Sequence, residues 1–316
     1  MLSVLMCAYR ENPDDFKMAV ESILAQTYSD FEFMIILDNP ENQELEQIIR
    51  FYQEQDDRIR LIKNPRNLGL TRSLNRGLGF AKYEFIARMD SDDIAMPERF
   101  ERQMALFEKH PSYAMVSANK IDIDENGEVI TPNSPLPESY ETIKNVMRFQ
   151  NVIFHPTVMF RKEAVMQLGG YREVTAAEDY DLWLRMLSSG FEIGILNEYL
   201  LKYRIRSQSI SRSNLMKQYY AAKYCRKLHE MRLRNGKDNY SPENMQSYLE
   251  THCASGKQEK YMQGYEMFLK SWDHLGQKQY PKALGEYMKA VILEPEMLFK
   301  AYSLMQYKRF MNSEKK

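Results

Sequence analysis

The fold is decided by residues 2–37, which read LSVLMCAYRENPDDFKMAVESILAQTYSDFEFMIIL. Two short apolar runs, at 2–8 and 31–37, have the length of buried strands. Between them, apolar residues recur at spacings of three or four, as on one face of a helix. Pro13 suits the first turn of that helix and Asn12 can cap it. The stretch therefore predicts a strand, a helix and a second strand.

The same alternation continues to about residue 90. The apolar runs RIRLIK, at 58–63, and YEFIAR, at 83–88, are two further candidate strands, and residues 45–52 have a second helical pattern. Repeated strand–helix–strand units form right-handed crossovers and a parallel sheet. The sequence thus predicts an α/β fold, with ligands at the carboxyl ends of the strands.

The middle of the chain is more mixed. Its patterns predict a helix over 97–109, a strand at 113–117, a hairpin turn at Asn126-Gly127, a helix over 179–188, and a strand pair formed by FEIGIL (191–196) and YLLKYRI (199–205).

Only helical patterns follow residue 213. We therefore expect two domains, an α/β domain at 1–213 and an all-α region at 214–316. The segment QYPKALGEYMKAVILEP, residues 279–295, resembles the second half of a tetratricopeptide repeat, and it also fits an ordinary amphipathic helical hairpin.

Composition excludes several classes of protein. With 43 basic and 44 acidic side chains among 316 residues and 44% hydrophobic residues, the chain is neither disordered nor collagenous. No apolar run approaches the roughly 18 residues that span a bilayer. The three cysteines are scattered, which argues against a disulfide framework or a zinc cluster and favours the cytoplasm.

Charge is distributed unevenly along the chain. Residues 215–316 contain 18 basic and 11 acidic side chains, and the predicted helix KQYYAAKYCRKLHEMRLR, at 217–234, combines cations with tyrosines. Such a helix suits either an anionic membrane surface or packing through its tyrosines. Nucleic acid is not an expected partner, because no recognition motif is present and the first 214 residues are acidic.

The strongest local feature is RMDSDD, residues 88–93, directly after a predicted strand. Three carboxylates within four residues repel one another unless a cation or hydrogen-bond donors offset them. Mg²⁺ or Mn²⁺ is a natural occupant of such a site. The same residues also suit an exposed acidic turn before the next helix.

Two further stretches have candidate roles. In AAEDYDLWLRM, Glu178 and Asp179 begin a helix, where acidic residues complement the helix dipole and where a carboxylate can also accept a proton. In NPRNLGLTRSLNRGL, Asn67 and Gly69 predict a turn before a helix that carries Arg72. Such an arginine either neutralises phosphate or faces solvent.

Taken together, the motifs VLMCAYRE, ILDNPEN, NPRNLGLTRSLN, RMDSDD, FHPTVMFR and AEDYDLWLRM resemble those of family 2 glycosyltransferases, over about the first 210 residues. The resemblance implies a GT-A fold, a Rossmann-like mixed sheet that binds a nucleotide sugar and is flanked by helices, here with an all-α C-terminal region. It also implies Mn²⁺ or Mg²⁺ as cofactor.

The resemblance implies inverting transfer of a sugar from a nucleotide sugar, with UDP as the expected nucleotide, to a saccharide or lipid-linked saccharide during surface polysaccharide synthesis. Such an enzyme would be cytoplasmic or peripheral at the inner face of the cell membrane. A nucleotidyltransferase and a non-catalytic scaffold that acts through the helical tail are the alternatives.

The resemblance also implies roles for individual residues. Those expected to bind the donor are Ala8, Tyr9, Glu11, Asp38, Asn67, Arg72, Asp90, Ser91 and Arg206. Asp92 would hold the metal, Asp179 would be the catalytic base, and Glu178 would contact the acceptor. His155 is either a packed, hydrogen-bonded side chain or a contact to the acceptor or the diphosphate. Arg206 stands in YRIR, where relatives often have a histidine, and would neutralise diphosphate.

Overall fold

A computed structural model describes residues 1–206, 214–254 and 256–314. The described residues form two compact units. The first comprises Met1–Lys144, Asn151–Glu173 and the described residues from Glu178 to Arg206. The second comprises Asn145–Gln150, Val174–Ala177 and the described residues from Asn214 onward. The predicted domain boundary after residue 213 lies outside the described residues.

The first unit is built around one mixed sheet. Its strands are β1 (Leu2–Ala8), β2 (Phe31–Leu37), β3 (Ile59–Lys63), β4 (Phe85–Asp90), β5 (Ile94–Ala95), β6 (Tyr113–Ile123), β7 (Val129–Pro132), β8 (Met159–Arg161) and β9 (Glu192–Arg204).

Helices connect these strands and continue through the second unit. They are α1 (Pro13–Leu24), α2 (Gln43–Gln55), α3 (Leu70–Phe80), α4 (Arg99–Lys109), α5 (Tyr140–Met147), α6 (Lys162–Gln167), α7 (Glu178–Ser188), α8 (Leu215–Asn235), α9 (Pro242–His252), α10 (Lys257–Gly276), α11 (Tyr280–Leu293) and α12 (Glu296–Glu314).

The strand order is β3-β2-β1-β4-β8-β6-β9-β5, with β7 paired to β6. The four strands predicted from the first 90 residues are confirmed, and they pair in parallel. β8 then joins β4 and β6 in the antiparallel direction. The α/β fold class with a mixed sheet is therefore confirmed, and the carboxyl ends of β1, β2 and β4 meet at one edge.

Local sequence explains the first crossover. β1 and β2 are almost fully buried, as expected of strands covered on both faces. Helix α1 buries Phe16, Ala19, Val20 and Ile23, which recur at helical spacing, against this sheet. The Asn12 side chain accepts hydrogen bonds from two backbone N–H groups of the first turn, so the predicted cap is confirmed.

The predicted strand pair at the end of this unit is wrong. FEIGIL and YLLKYRI form one continuous strand, β9, parallel to β6. Leu196 pairs with Ala118 and Tyr199 with Asn119, so Asn197 and Glu198 form a bulge and not a turn.

The chain does not reverse there because the residues on both sides of the bulge pair with β6, and the Asn197 side chain in the bulge is bound to a neighbouring segment. Asn197 Oδ1 accepts the Leu136 N–H at 2.7 Å, and its Nδ2 donates to the Leu136 carbonyl at 2.8 Å. The backbone of Leu136 therefore binds both polar atoms of the Asn197 side chain.

The β6–β7 hairpin is confirmed, with Gly127 at φ +86° in its turn. β6 is longer than predicted, because the run KIDID continues the strand that begins at Tyr113.

In the second unit, α10 and α11 form a helical hairpin. A Cβ added to Gly264 would lie 2.7 Å from Glu294 Cβ, so the missing side chain permits the close approach. Tyr220 and Tyr224 of α8 are buried. No helix among the described residues meets the length and apolarity that membrane crossing requires.

Replacing Asn197 with alanine removes both hydrogen bonds to Leu136, whose side chain is buried. We expect a loss of about 1–3 kcal/mol in the free energy of unfolding, because the backbone groups lose their partners. Glu198→Ala, which removes an exposed ion pair with Arg102, should change stability by no more than about 0.5 kcal/mol. Urea unfolding of both variants measures the difference, and equal losses would contradict the role of Asn197.

Candidate active site

The candidate site lies where β1 and β4 end side by side. Cys7 is paired with Asp90 in the parallel register of these strands, so the residues after both strands emerge together. Tyr9 and Glu11 follow β1, and Ser91 follows β4. The sheet thus brings together residues that are about 80 positions apart in sequence.

Glu11 links the two strand ends. Its Oε2 accepts the Tyr9 N–H at 2.7 Å, and its side chain is hydrogen-bonded to Ser91, which is buried. Burial raises the pKa of Glu11, and the nearby charge of Asp90 raises it further. Glu11, Asp90 and Ser91, three predicted donor contacts, therefore lie in one cluster.

The acidic turn 90–93 concentrates negative charge. Burial, followed by the charge of Asp90, raises the pKa of Asp92 to about 6. Asp93 is almost fully buried, and its Oδ1 accepts the Arg204 N–H at 2.9 Å. Burial together with Asp90 and Asp92 raises the pKa of Asp93 well above its usual value. Asp93 therefore joins the acidic turn to the end of β9.

Arg88 is the cation of this cluster that sequence reasoning missed. It is only 4% exposed and forms an ion pair with Asp90. Its charge also opposes the upward shift in the pKa of Asp92 and of Glu178. Residues two apart on a strand lie on the same face, so the spacing of Arg88 and Asp90 was a signal that could have found this pair.

A second cation approaches Asp92 from the end of β9. Arg206 Nε lies 3.3 Å from Asp92 Oδ2. The predicted diphosphate contact, Arg206, thus lies beside the predicted metal ligand.

Glu178 and Asp179 begin α7 and are half-buried. Burial, followed by the charge of Asp179, raises the pKa of Glu178 to about 7. Asp179 Oδ1 accepts the Tyr180 N–H at 2.6 Å, and its Oδ2 accepts from Asn151 Nδ2 at 3.1 Å. Burial raises the pKa of Asp179, while these two donors favour its ionised form. Nothing in the sequence indicated the contribution of Asn151.

The charge of Asp90 is among the causes that raise the pKa of Glu178. The acidic turn and the start of α7 are therefore close enough to interact electrostatically. The effect of Asp90 on the pKa of Glu178 is smaller than that of burial or of Asp179.

His155 is packed among aromatic side chains in a short 3₁₀ helix. Its Nε2 lies 2.9 Å from the Tyr171 hydroxyl, and its ring is 5.9 Å from that of Trp183, edge to face. Burial lowers the pKa of His155 well below its usual value, so the imidazole is neutral near pH 7. A neutral imidazole can donate or accept a hydrogen bond, but it supplies no charge to a diphosphate.

Asp38 organises a loop next to the site. Its carboxylate accepts the N–H groups of Leu68 and Gly69, at 2.8 and 2.9 Å, and the Asn64 side-chain amide at 2.6 Å. The Asp38 N–H itself donates to the Ala8 carbonyl, which ties the end of β2 to that of β1. The carboxylate oxygens of Asp38 thus already have protein partners.

Asn67 and Arg72 lie on this loop and on α3. Asn67 Oδ1 accepts the Gly69 N–H at 2.9 Å, which confirms the predicted turn. Arg72 forms an exposed bidentate ion pair with Glu173, at 2.8 and 3.0 Å. Its guanidinium thus pairs with a carboxylate that does not belong to the Asp90–Asp92 cluster. Contact between Arg72 and the donor stays a prediction.

Within the described residues, no group of three or more His, Cys, Asp and Glu side chains is arranged to hold a metal ion. The donor set nevertheless fits Mg²⁺ or Mn²⁺ bound together with a nucleotide. Mg²⁺ commonly binds one or two carboxylates plus substrate phosphates, and Asp92 and Asp90 are two partly exposed carboxylates whose repulsion a cation would relieve.

Comparison with known proteins agrees with this geometry. The sequence model of glycosyl transferase family 2 matches residues 3–169. The chain belongs to glycosyl transferase family 2. It is therefore a glycosyltransferase, and the alternative prediction of a nucleotidyltransferase is wrong. The match includes both strand ends and the acidic turn, and it ends before Glu178.

Two relatives and one solved structure illustrate the similarity. The O-antigen biosynthesis glycosyltransferase WbnJ of Escherichia coli is 36% identical over 222 residues, which are 68% of this chain and 84% of that protein. The UDP-Gal:alpha-D-GlcNAc-diphosphoundecaprenol beta-1,3-galactosyltransferase of E. coli is 28% identical over 66% of this chain and 76% of that protein. The crystal structure of Staphylococcus aureus TarS 1-349 in complex with UDP-GlcNAc matches with a TM-score of 0.60 and 18% identity, over 99% of this chain and 91% of that one. The predicted GT-A fold is confirmed.

Because the pKa of Glu178 in the folded chain is about 7, the ionised carboxylate destabilises the fold above that pH. An unfolded glutamate ionises near pH 4.5, so the folded state loses relative stability as pH rises from there to 7. We expect Glu178→Gln to raise the melting temperature clearly at pH 8 and hardly at pH 4. Differential scanning calorimetry at both pH values tests this, and a pH-independent change would contradict it.

Proposed function

We propose that the chain transfers a sugar, with inversion at the anomeric carbon, from a UDP-sugar to a saccharide or lipid-linked saccharide during surface polysaccharide synthesis. The observation that carries the proposal is the geometry where β1 and β4 end together, with Cys7 paired to Asp90 in register and Arg206 Nε 3.3 Å from Asp92 Oδ2. The names of similar proteins support the substrate classes, since one makes O-antigen and another uses UDP-Gal with a diphosphoundecaprenol acceptor.

The donor would bind at the carboxyl ends of β1 and β4. Ala8, Tyr9 and Glu11 would lie against the base and ribose, with Asp38 and Asn67 holding the neighbouring loop, and Asp90 and Ser91 would bind the ribose and the transferred sugar. A Mg²⁺ or Mn²⁺ ion bound by Asp92, and by Asp90 or the donor phosphates, would offset negative charge on the diphosphate. The complex of S. aureus TarS with UDP-GlcNAc supports a UDP-sugar as the donor class.

Asp179 would act as the general base. An acceptor hydroxyl is a weak nucleophile at neutral pH, so its proton passes to the carboxylate as its oxygen attacks the anomeric carbon. The bond from that carbon to the diphosphate breaks, and UDP leaves with the bonding electron pair. Attack on the face opposite the leaving group inverts the anomeric centre. The hydrogen bonds from Asn151 and from the Tyr180 N–H favour the ionised form of Asp179 and would orient its carboxylate for this transfer.

Negative charge grows on the leaving diphosphate, and cations placed before the reaction stabilise it at little cost of reorganisation. Arg206, which lies beside Asp92, is the side chain we assign to that task. Glu178 and neutral His155 would hydrogen-bond the acceptor.

Paired variants separate donor binding from catalysis. We expect one UDP-sugar to raise the melting temperature of the wild-type chain, and more so with Mn²⁺, because the bound ligand stabilises only the folded state. Asp92→Ala should lose this metal-dependent gain. Asp179→Asn should keep it while turnover falls by at least about 100-fold, since only proton removal is lost.

Fluorimetric melting and release of UDP measure the two effects. A chain that no nucleotide sugar stabilises, with any divalent ion, would contradict the transferase proposal and favour the scaffold. Asp179→Asn with unchanged turnover would contradict the assignment of the base.

We also propose peripheral contact with an anionic membrane through the second unit. The cations of the basic helix α8 are less available to a membrane than its sequence suggests. Lys223 pairs with Glu296, Arg232 pairs with Asp238, and Arg226 is buried. The structure favours a different surface. We call it the C-terminal apolar face, and its members are Leu275, Tyr280, Leu284, Met288 and Ile292.

All five members of this face are more than 40% exposed, and Ile292 is 78% exposed. Leu284, Met288 and Ile292 recur every four residues, so they form one stripe along α11. Leu275, Tyr280 and Leu284 line a groove of about 360 Å³. Lys278 and Lys282 are exposed near this stripe, as is Lys289, which also pairs with Glu286 at 2.8 Å. An apolar stripe next to lysines suits an anionic lipid surface.

The wild-type chain should sediment with phosphatidylglycerol vesicles at low salt and much less with phosphatidylcholine vesicles. Ile292→Glu should weaken this binding by about tenfold, because a carboxylate would enter the interface. Phe51→Glu, which changes an exposed aromatic residue of the first unit, is the matched control and should bind as the wild type does. Absence of binding at low salt would contradict the membrane proposal.

A further inference from the structure

Asp15 lies in the first turn of α1 and has an environment unlike that of its neighbour Asp14. The side chain of Asp14 is 83% exposed and pairs with Lys17, whereas that of Asp15 is 13% exposed. Both belong to the capped first turn, so both complement the helix dipole in the same way. What distinguishes Asp15 is the pair of arginines that it contacts.

Asp15 contacts two arginines from the end of β9. Its Oδ1 lies 3.2 Å from Arg204 Nη2, and its Oδ2 accepts a hydrogen bond from Arg206 Nη2 at 2.9 Å. The chain separation between Asp15 and Arg206 is 191 residues, so only the tertiary fold brings them together.

Arg204 is itself held rigidly. Its side chain is buried, its Nε donates to the Asp92 carbonyl at 3.0 Å, and its backbone N–H donates to Asp93 at 2.9 Å. Asp15 therefore binds one arginine that is locked to the acidic turn and a second, Arg206, that is 30% exposed.

An arginine side chain has many rotamers, and immobilising it costs conformational entropy. The ion pair with Asp15 restricts the Arg206 side chain before any ligand binds, so less conformational entropy is lost on binding. It leaves Arg206 Nε 3.3 Å from Asp92 Oδ2, so the guanidinium is held next to the carboxylate we assign to the metal.

We propose that Asp15 is a positioning residue that holds Arg206 beside Asp92, where the diphosphate of the donor binds. The inference rests on the proposed function, because it takes the donor to be a nucleoside diphosphate sugar. Asp15 acts through Arg206 and does not touch the donor. If the Asp15 carboxylate acted only through its charge, it would repel phosphate, and removing it would strengthen UDP binding. If it positions Arg206, removing it weakens UDP binding.

The test compares Asp15→Asn with Asp14→Asn. Both changes remove one carboxylate from the same turn and keep the shape of the side chain. We expect Asp15→Asn to weaken UDP binding by about three- to tenfold, since the charged hydrogen bond that orients Arg206 is lost. Its affinity for uridine, which has no phosphate, should stay the same. Asp14→Asn should bind both ligands within about twofold of the wild type.

A double-mutant cycle separates positioning from a general structural role. Arg206→Gln should weaken UDP binding, and adding Asp15→Asn to it should cause no further loss, because the orienting contact then has nothing to orient. Isothermal titration calorimetry with UDP and uridine in the presence of Mn²⁺ supplies all the affinities.

Three outcomes would overturn the role of Asp15 in a chain that binds UDP. These are unchanged or tighter UDP binding by Asp15→Asn, an equal loss of uridine affinity, and additive losses in the double variant. A wild-type chain that binds neither UDP nor any UDP-sugar would overturn the proposed function, and the inference with it.

Discussion

The main physical constraint on the candidate site is that it holds several partly buried carboxylates close together. Burial alone disfavours each charge, and every neighbouring carboxylate adds to the cost. Asp90 raises the pKa of Glu11, Asp92 and Glu178 in addition to the effect of burial. Such a cluster persists only where cations and hydrogen-bond donors offset it, and Arg88 is the buried cation paired with Asp90.

The sheet supplies these counter-charges from distant parts of the chain. Arg88 precedes the acidic turn on β4, while Arg204 and Arg206 come from the end of β9. The N–H of Arg204 satisfies one oxygen of Asp93, and Arg206 lies against Asp92. The divalent ion and donor diphosphate that we propose would complement this arrangement. The ion would add positive charge next to the carboxylates, and Arg206 would offset the charge of the phosphates.

Sequence reasoning succeeded where one local pattern dominates. The buried strands β1 to β4, the Asn12 cap and the Asn126-Gly127 hairpin each follow from neighbouring residues. It failed at β9, where pairing with β6 on both sides of a bulge continues the strand and no local pattern records that pairing. It also assigned Asp38 to the donor without showing that its carboxylate holds the Asn64–Gly69 loop.

By itself, the sequence determined the α/β class and the sheet edge at which the acidic residues of the candidate site lie, because periodicity and chain order are local properties. Only the tertiary structure decided which charges meet. Asp15 with Arg206 and Asn151 with Asp179 are pairs joined across 191 and 28 residues, and their distances depend on how the elements pack. The pKa of Glu178 was likewise beyond the sequence, because burial and the field of Asp179 set it and both exist only in the folded chain.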